Sequence, residues 1–465
     1  MEKNVYVEEL EDFIIIQCNV LKEICSHGKV TMKGYLSNGY TKSVKSILEG
    51  ADSLTLKALD DKNKEKVVFV GTILNFDVQR YLEYDELSIV LAASTIKMDC
   101  EEKSSIFQQD GVTYEDIISY INGNSGASSL NVAPLSGSLG HISMQYLETN
   151  WNYLRRLASE KNIILVPEYE MSGIKYYIGL PNKGKIKVNI TECEKQLDML
   201  EYIMKQKNNI ITSFAGEETI IIESREILSI GTIVDIDTPS STYRNMSVYK
   251  VEANKRGAMF ISKYYMKSRE GITTIPIKNY NCIGVSISSS VVNVQGDKLQ
   301  VSMDLPGIQD NGKYFEFATV YSSTGDSGWY CMPEISDSVR VYFPNEKEDD
   351  AFVFNAMQVD KEGKDPNIKF FRNPQGKEIE FGKDYLKITN NDGLTIILDD
   401  KQGISMESDK NINISSNQEI NVQSINGKIG IVSTDEIVMK QGEDTSISIH
   451  DDVNISGNQV HVKEI

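Results

Sequence analysis

Histidine is scarce in this chain of 465 residues, with only four, at positions 27, 141, 450 and 461. A hydroxyl nucleophile needs an imidazole base within hydrogen-bond reach. His27 (CSHGKV) and His141 (GSLGHIS) sit in turn-like contexts that read as solvated loops, and His450 and His461 fall in a repeat region, so no triad is legible. Basic residues are also short: 48 Lys and Arg face 67 Asp and Glu, a net charge of −19. This argues against a binder of nucleic-acid backbones, which needs a basic face. No apolar stretch approaches the ~18 residues of a membrane helix; the densest run is Phe13–Ile16, and the acidic start MEKNVYVEELEDF does not read as a secretory signal. The six cysteines are scattered without CxxC spacing and read as reduced thiols of a chain folded inside a cell. With only 10 prolines and 40% hydrophobic residues, wholesale disorder is excluded. The glycine-bearing stretches GSLGH and SGASS lack the GK[ST] that would make a phosphate cradle.

The length fits about three domains, and four textures divide it. Residues 1–280 mix short β-rich runs with three amphipathic segments. These predict helices over Tyr114–Ile121, over Met144–Asn162 with Ser143 as N-cap, and over Cys193–Asn209 with Leu197, Leu200, Ile203 and Met204 on one core-facing stripe. NIILVPEYEMSGIKYYIGLP reads as a hairpin turning at Met171–Gly173. Residues 281–358 are almost purely β. GVSISSSVVNVQGDKLQVSM, YFEFATVYS, DSVRVYFP and DAFVFNAM supply five short strands, with inward alternation at Val339, Val341, Phe343 and at Phe352, Phe354, as in a small barrel packed partly by Cys331. Residues 359–376 are a polar linker.

From residue 377 to 465 short apolar doublets recur, from Ile379/Phe381, Leu386/Ile388, Leu394/Ile396 and Ile404/Met406 to Val460/Val462, at six- to ten-residue intervals averaging eight. Asn, Asp, Gly and Ser turn the chain between them. One such repeat buries little alone. A prism of three intertwined chains would bring the doublets to a common axis and leave no open edge. At ~4.8 Å between paired strands it would be about 50 Å long. A flat meander of hairpins is the competing arrangement.

Several stretches in order carry a family resemblance. FVGTILNFDVQRYLEYDELSIVLAAS with SSIFQQDGVTYEDIISYI, then QYLETNWNYLRRLASEKNIILVPEY, then WYCMPEISDSVRVYFPNEKEDDAFVFNAM, then KEIEFG and LKITNNDG together resemble the VgrG / phage late-control-D spikes of contractile injection systems. In the barrel the matching positions are Pro333, Glu334, Ile335, Asp337, Val339, Val341 and Phe343; Ser336 stands where the family has glycine, and Ala351 departs from its proline region. The resemblance implies a mainly β fold with a few helices. Residues 1–280 would be a hub of tail-tube-adapter β-barrel domains with helical insertions, 281–358 an OB-fold barrel, 359–376 a linker, and 377–465 a triple-stranded β-helix needle.

It also implies a function without catalysis or cofactor. A homotrimer assembled in the bacterial cytoplasm would cap the inner tail-tube protein, meet baseplate wedge and hub proteins, and puncture a target envelope on sheath contraction. Its end, Val460, His461, Val462, Lys463, Glu464 and Ile465, would dock a PAAR-type tip protein and thereby effector cargo. The 359–376 linker is too short for the lysozyme-like insert of some members. His450 and His461 do not form the His-x-His apex that binds iron in others, and the turns lack calcium-type GGxGxD spacing. The alternative function is a receptor- or glycan-binding tail protein that reads with its shaft. Such a reader would present aromatics, whereas 382–465 contains only Tyr385.

Overall fold

The computed structural model describes residues 4–210, 213–310, 312–323, 327–357, 365–442, 445–449 and 459, in two compact units, 1–359 and 360–465.

The first unit is built on a 12-stranded sheet. Its main path runs Val5–Val7, Leu54–Leu59, Glu65–Arg80, Asp85–Ala92, Lys29–Leu36 and Phe13–Glu23. From there it crosses to Thr242–Arg256, Met259–Ser268, Glu218–Ser224 and Glu194–Leu197. The two halves join where Lys250–Asn254 pair antiparallel with Glu23–Asn19. A register shift between Ile15 and Gln17 explains how Phe13–Glu23 keeps one face inward: Phe13 and Ile15 are buried before it, Cys18 and Val20 after it.

A second core lies under two helices, α2 (Tyr114–Ser125) and α3 (Asn150–Ser159), which follow a short α1 (Lys42–Gly50). A capping box between Thr113 and Asp116 starts α2, and Gly126 at φ 62° ends it. It buries Tyr114, Ile117, Ile118 and Ile121, as its spacing predicts. The hairpin read at Met171–Gly173 is present as Leu165–Pro167 against Lys175–Ile178.

The five β-runs of 281–358 form one sheet, in the order Tyr314–Glu316, Lys298–Met303, Ser286–Gln295, Ser338–Tyr342, Phe352–Met357. Phe317 bridges Val353, and the Ala318 N–H donates to Val353 O at 2.8 Å, which closes the sheet into a ring. Val339, Val341 and Phe343 are fully buried in it. Ser336 has φ 77°, a left-handed conformation that suits glycine better than an L side chain.

In the second unit, Lys369–Arg372, Glu378–Phe381, Tyr385–Thr389, Leu394–Asp399 and Gly403–Ser408 form an antiparallel meander. No strand is assigned over 409–436, and Ile437–Gln441 pairs with Thr445–Ile449.

Four expectations are corrected. Ser143 is not an N-cap: Ser143–Thr149 is a strand paired with Glu102–Phe107, Leu147 has φ 44°, and α3 starts only after Thr149, whose hydroxyl accepts from the Asn152 N–H. Cross-strand partners 36 to 47 residues away outweigh the local helical spacing. Within Cys193–Asn209, Glu194–Leu197 is an edge strand and α4 spans only Met199–Lys207, capped by Asp198. Its apolar stripe faces out, Leu200 being 69% exposed, while Tyr202 and Lys205 are buried. In the barrel Val353 is the inward residue, and Phe352 and Phe354 pack on Tyr342 on the other face, at 5.5 and 5.8 Å. Cys331 is exposed rather than packed.

Candidate functional site

Three arrangements have the chemistry of a working surface: the join of hub and barrel, a hydroxyl–imidazole–carboxylate chain, and the apolar face of the repeats.

The sheet-and-helix part of the first unit, called the hub only as a label, and the barrel are knitted together. Gly307–Ile308, between barrel strands, pairs parallel with Ile106–Phe107 of the hub and so joins the antiparallel strand pair Glu102–Phe107/Ser143–Thr149. A Cβ on Gly307 would sit 1.8 Å from Ile106 O, so only glycine permits this approach. Ile106, Ile142 and Met144 complete the barrel core. Beside it, Arg156 on α3 donates to both carboxylate oxygens of Glu148 (3.0–3.2 Å), to Glu348 Oε1 (3.0 Å) and to Met144 O (2.8 Å). Burial works against the guanidinium charge, but the two facing carboxylates hold it above its ordinary pKa; burial pushes Glu148 up, and Arg156 reverses this only in part. One buried cation thus ties a hub strand to the barrel turn Glu348–Asp350.

His27 is not in a solvated loop. Its Nδ1 lies 2.8 Å from Thr95 Oγ1 and its Nε2 2.8 Å from Asp99 Oδ2, with the ring 5.0 Å from Trp151. Asp99 also accepts from the Thr149 hydroxyl that caps α3. Burial opposes ionisation of Asp99, but these hydrogen bonds outweigh it and hold the carboxyl below its usual range. The order of groups resembles a nucleophile–base–acid triad, yet the Thr95 hydroxyl is buried beneath the chain, at 1% exposure, where no substrate reaches it. The arrangement clamps the turn Ser94–Asp99 to α3.

The repeat doublets align across the meander. Ile379 faces Ile388 and Phe381 faces Leu386; Leu386 then faces Leu398 and Ile388 faces Ile396; Leu398 faces Ile404 and Ile396 faces Met406. One sheet face is therefore a continuous apolar band, with Leu394, Ile396 and Leu398 on the same face of one strand, and it lies largely open: Ile404 is 74% and Met406 54% exposed. Ile414, Val422 and Ile431 farther on are also exposed. Val460, His461, Val462, Lys463, Glu464 and Ile465, the expected tip site, lie outside the described residues, as does His450. Among the described residues no group of His, Cys, Asp and Glu could hold a metal ion, and no helix is long and apolar enough to cross a membrane.

This fold recurs over most of the chain in solved structures. An E. coli type VI secretion component, c3393, described as similar to the T4 bacteriophage tail proteins gp27 and gp5, superposes with a TM-score of 0.53 at 10% identity over 75% of this chain and 98% of its own. A chain of the lidless PdpA–VgrG complex gives 0.54 at 10% identity over 85% and 94%. The half-lidded Francisella PdpA–VgrG complex gives 0.53 at 10% identity over 84% and 83%. The chain has the fold of the VgrG-type spikes. No family model and no curated protein matches the sequence. At this identity a VgrG-type fold brings over the architecture and not the role of any single side chain. The Arg156 join and the apolar band are thus read from this chain's own geometry.

Proposed function

We propose that this protein is the central spike and hub of a contractile injection apparatus. Three chains would intertwine through residues 377–465 into a needle, with an OB-type barrel as collar and residues 1–280 capping the inner tube. The needle would puncture the target envelope without chemistry of its own. The proposed partners are the tube protein, baseplate wedge and hub proteins, and a PAAR-type tip protein at Val460–Ile465, with effector cargo carried on it. The observation that supports this reading is the apolar band of the repeats. A single sheet with one uncovered apolar face lacks the second layer that a stable domain needs. In a shaft whose apolar residues repeat in register, identical copies are the natural cover.

The absolute mass of the purified full chain, measured by light scattering, tests it. A value of about three times 52.2 kDa is expected. A 52.2-kDa particle with intact β structure overturns the spike reading and favours a shaft that binds a receptor or glycan.

A further inference from the structure

His141 sits where the hub loop Leu139–Ile142 meets the barrel turn Glu348–Asp350, on a cleft of about 260 Å³ that it lines with Arg156, Glu160, Lys278, Glu348 and Asp349. Its Nδ1 lies 2.9 Å from Leu139 O, and its Nε2 lies 3.4 Å from Glu160 Oε1. A carbonyl and a carboxylate only accept, whereas a neutral imidazole carries a single N–H. The neutral ring therefore satisfies one partner and turns a lone pair toward the other; the protonated ring satisfies both.

The neighbouring backbone makes the joint. The Ile142 N–H donates to Asp349 Oδ1 at 3.0 Å. From the barrel side, Lys313 donates to Gly140 O at 2.6 Å and lies 3.7 Å from the same Asp349 oxygen. From α2 the Tyr114 hydroxyl donates to Glu160 Oε2 at 3.0 Å, with Lys161 over the Tyr114 ring. The other charged groups of the cleft have partners of their own: Arg156 with Glu348, Lys278 with Glu346, and Asp350 with the Asn345 amide, while Lys347 lines the rim.

We propose that His141 is a proton-operated latch on the hub–barrel seam, closed when its ring is protonated and loosened when the proton leaves. The hydrogen bond to Glu160 raises its pKa above the ordinary value, burial works against this, and the charges of Glu160 and Asp349 add to the rise. The folded-state value thus lies above the unfolded one. The stabilisation is complete below the ordinary histidine value of about 6.5, and it is lost as pH climbs through the raised folded value. The latch needs only the seam within one chain and does not rest on the spike assignment.

Hydrogen–deuterium exchange of the full chain, corrected for intrinsic rates, reads the latch through the peptide containing Ile142. Protection should fall about two- to fivefold between pH 6 and pH 8, the range of a partly exposed ion pair. His141→Gln should abolish this pH dependence. Glu160→Gln should move the transition toward the ordinary histidine value, which a merely structural change would not do. Equal corrected protection at both pH values in the wild type overturns the latch. So does an unchanged pH profile in either variant.

Discussion

The two units treat apolar side chains in opposite ways. In residues 4–357 the large hydrophobic residues close three cores, and even charged groups such as Arg156 and Glu217 are drawn inside with partners. In residues 378–408 the aliphatic doublets line up on one face and stay open to solvent, and Ile414, Val422 and Ile431 beyond them are exposed as well. The first unit carries in one chain what it needs to be stable. The second has, over 369–408, the strands and the register but no cover. Local β structure can therefore be fully specified where burial is not, and the missing burial is what assembly would add.

The sharpest way to break this contrast is to charge the open face. Ile388→Asp combined with Ile396→Asp places two carboxylates opposite each other on the apolar band. The particle mass by light scattering should fall to that of one chain, while thermal unfolding of the first unit stays unchanged. An undisturbed mass would mean that the band is not an interface.

Next in size is Arg156→Ala. It leaves Glu148 and Glu348 without their shared cation in a buried site, at a cost of about 3–5 kcal/mol. The denaturant midpoint of the first unit, followed by tryptophan fluorescence, should drop accordingly. Gly307→Ala forces a Cβ against Ile106 O and should cost about 1–3 kcal/mol, read on the same curve. The smallest effect is expected from Ser336→Gly, which relieves a left-handed serine and should raise the midpoint by up to about 1 kcal/mol.

What could be read from the sequence depended on how far each signal reaches along the chain. Helix α2 was legible from its apolar spacing over Tyr114–Ile121, a signal local to the segment, and the structure carries the helix on to Ser125. The doublets and the strand–turn–strand of the barrel were legible for the same reason. The segment Met144–Thr149 was not, because its strand partners are Glu102–Phe107 and the helical spacing around Leu147 pointed the other way. The outward stripe of α4 was missed since Leu200 and Ile203 have the spacing of a core face; only the buried Lys205–Glu217–Lys267 network beneath explains why that helix is turned over. The seam residues carried no sequence signal, since Arg156 and Glu348 are 192 positions apart. His141 was visible as a residue but not as a contact, because Glu160 reaches it from the end of α3 and Asp349 adds its charge from the barrel turn.

The strand pairing of Gly307–Ile308 with Ile106–Phe107 also constrains the order of folding. The barrel draws Ile106, Ile142 and Met144 into its core, residues made 142 to 180 positions before its first strand at Ser286. Its closure brings together residues far apart in the sequence and carries the loop-closure cost of such contacts. A nascent chain stopped before residue 286 would therefore leave three apolar side chains, Ile106, Ile142 and Met144, without the barrel that covers them.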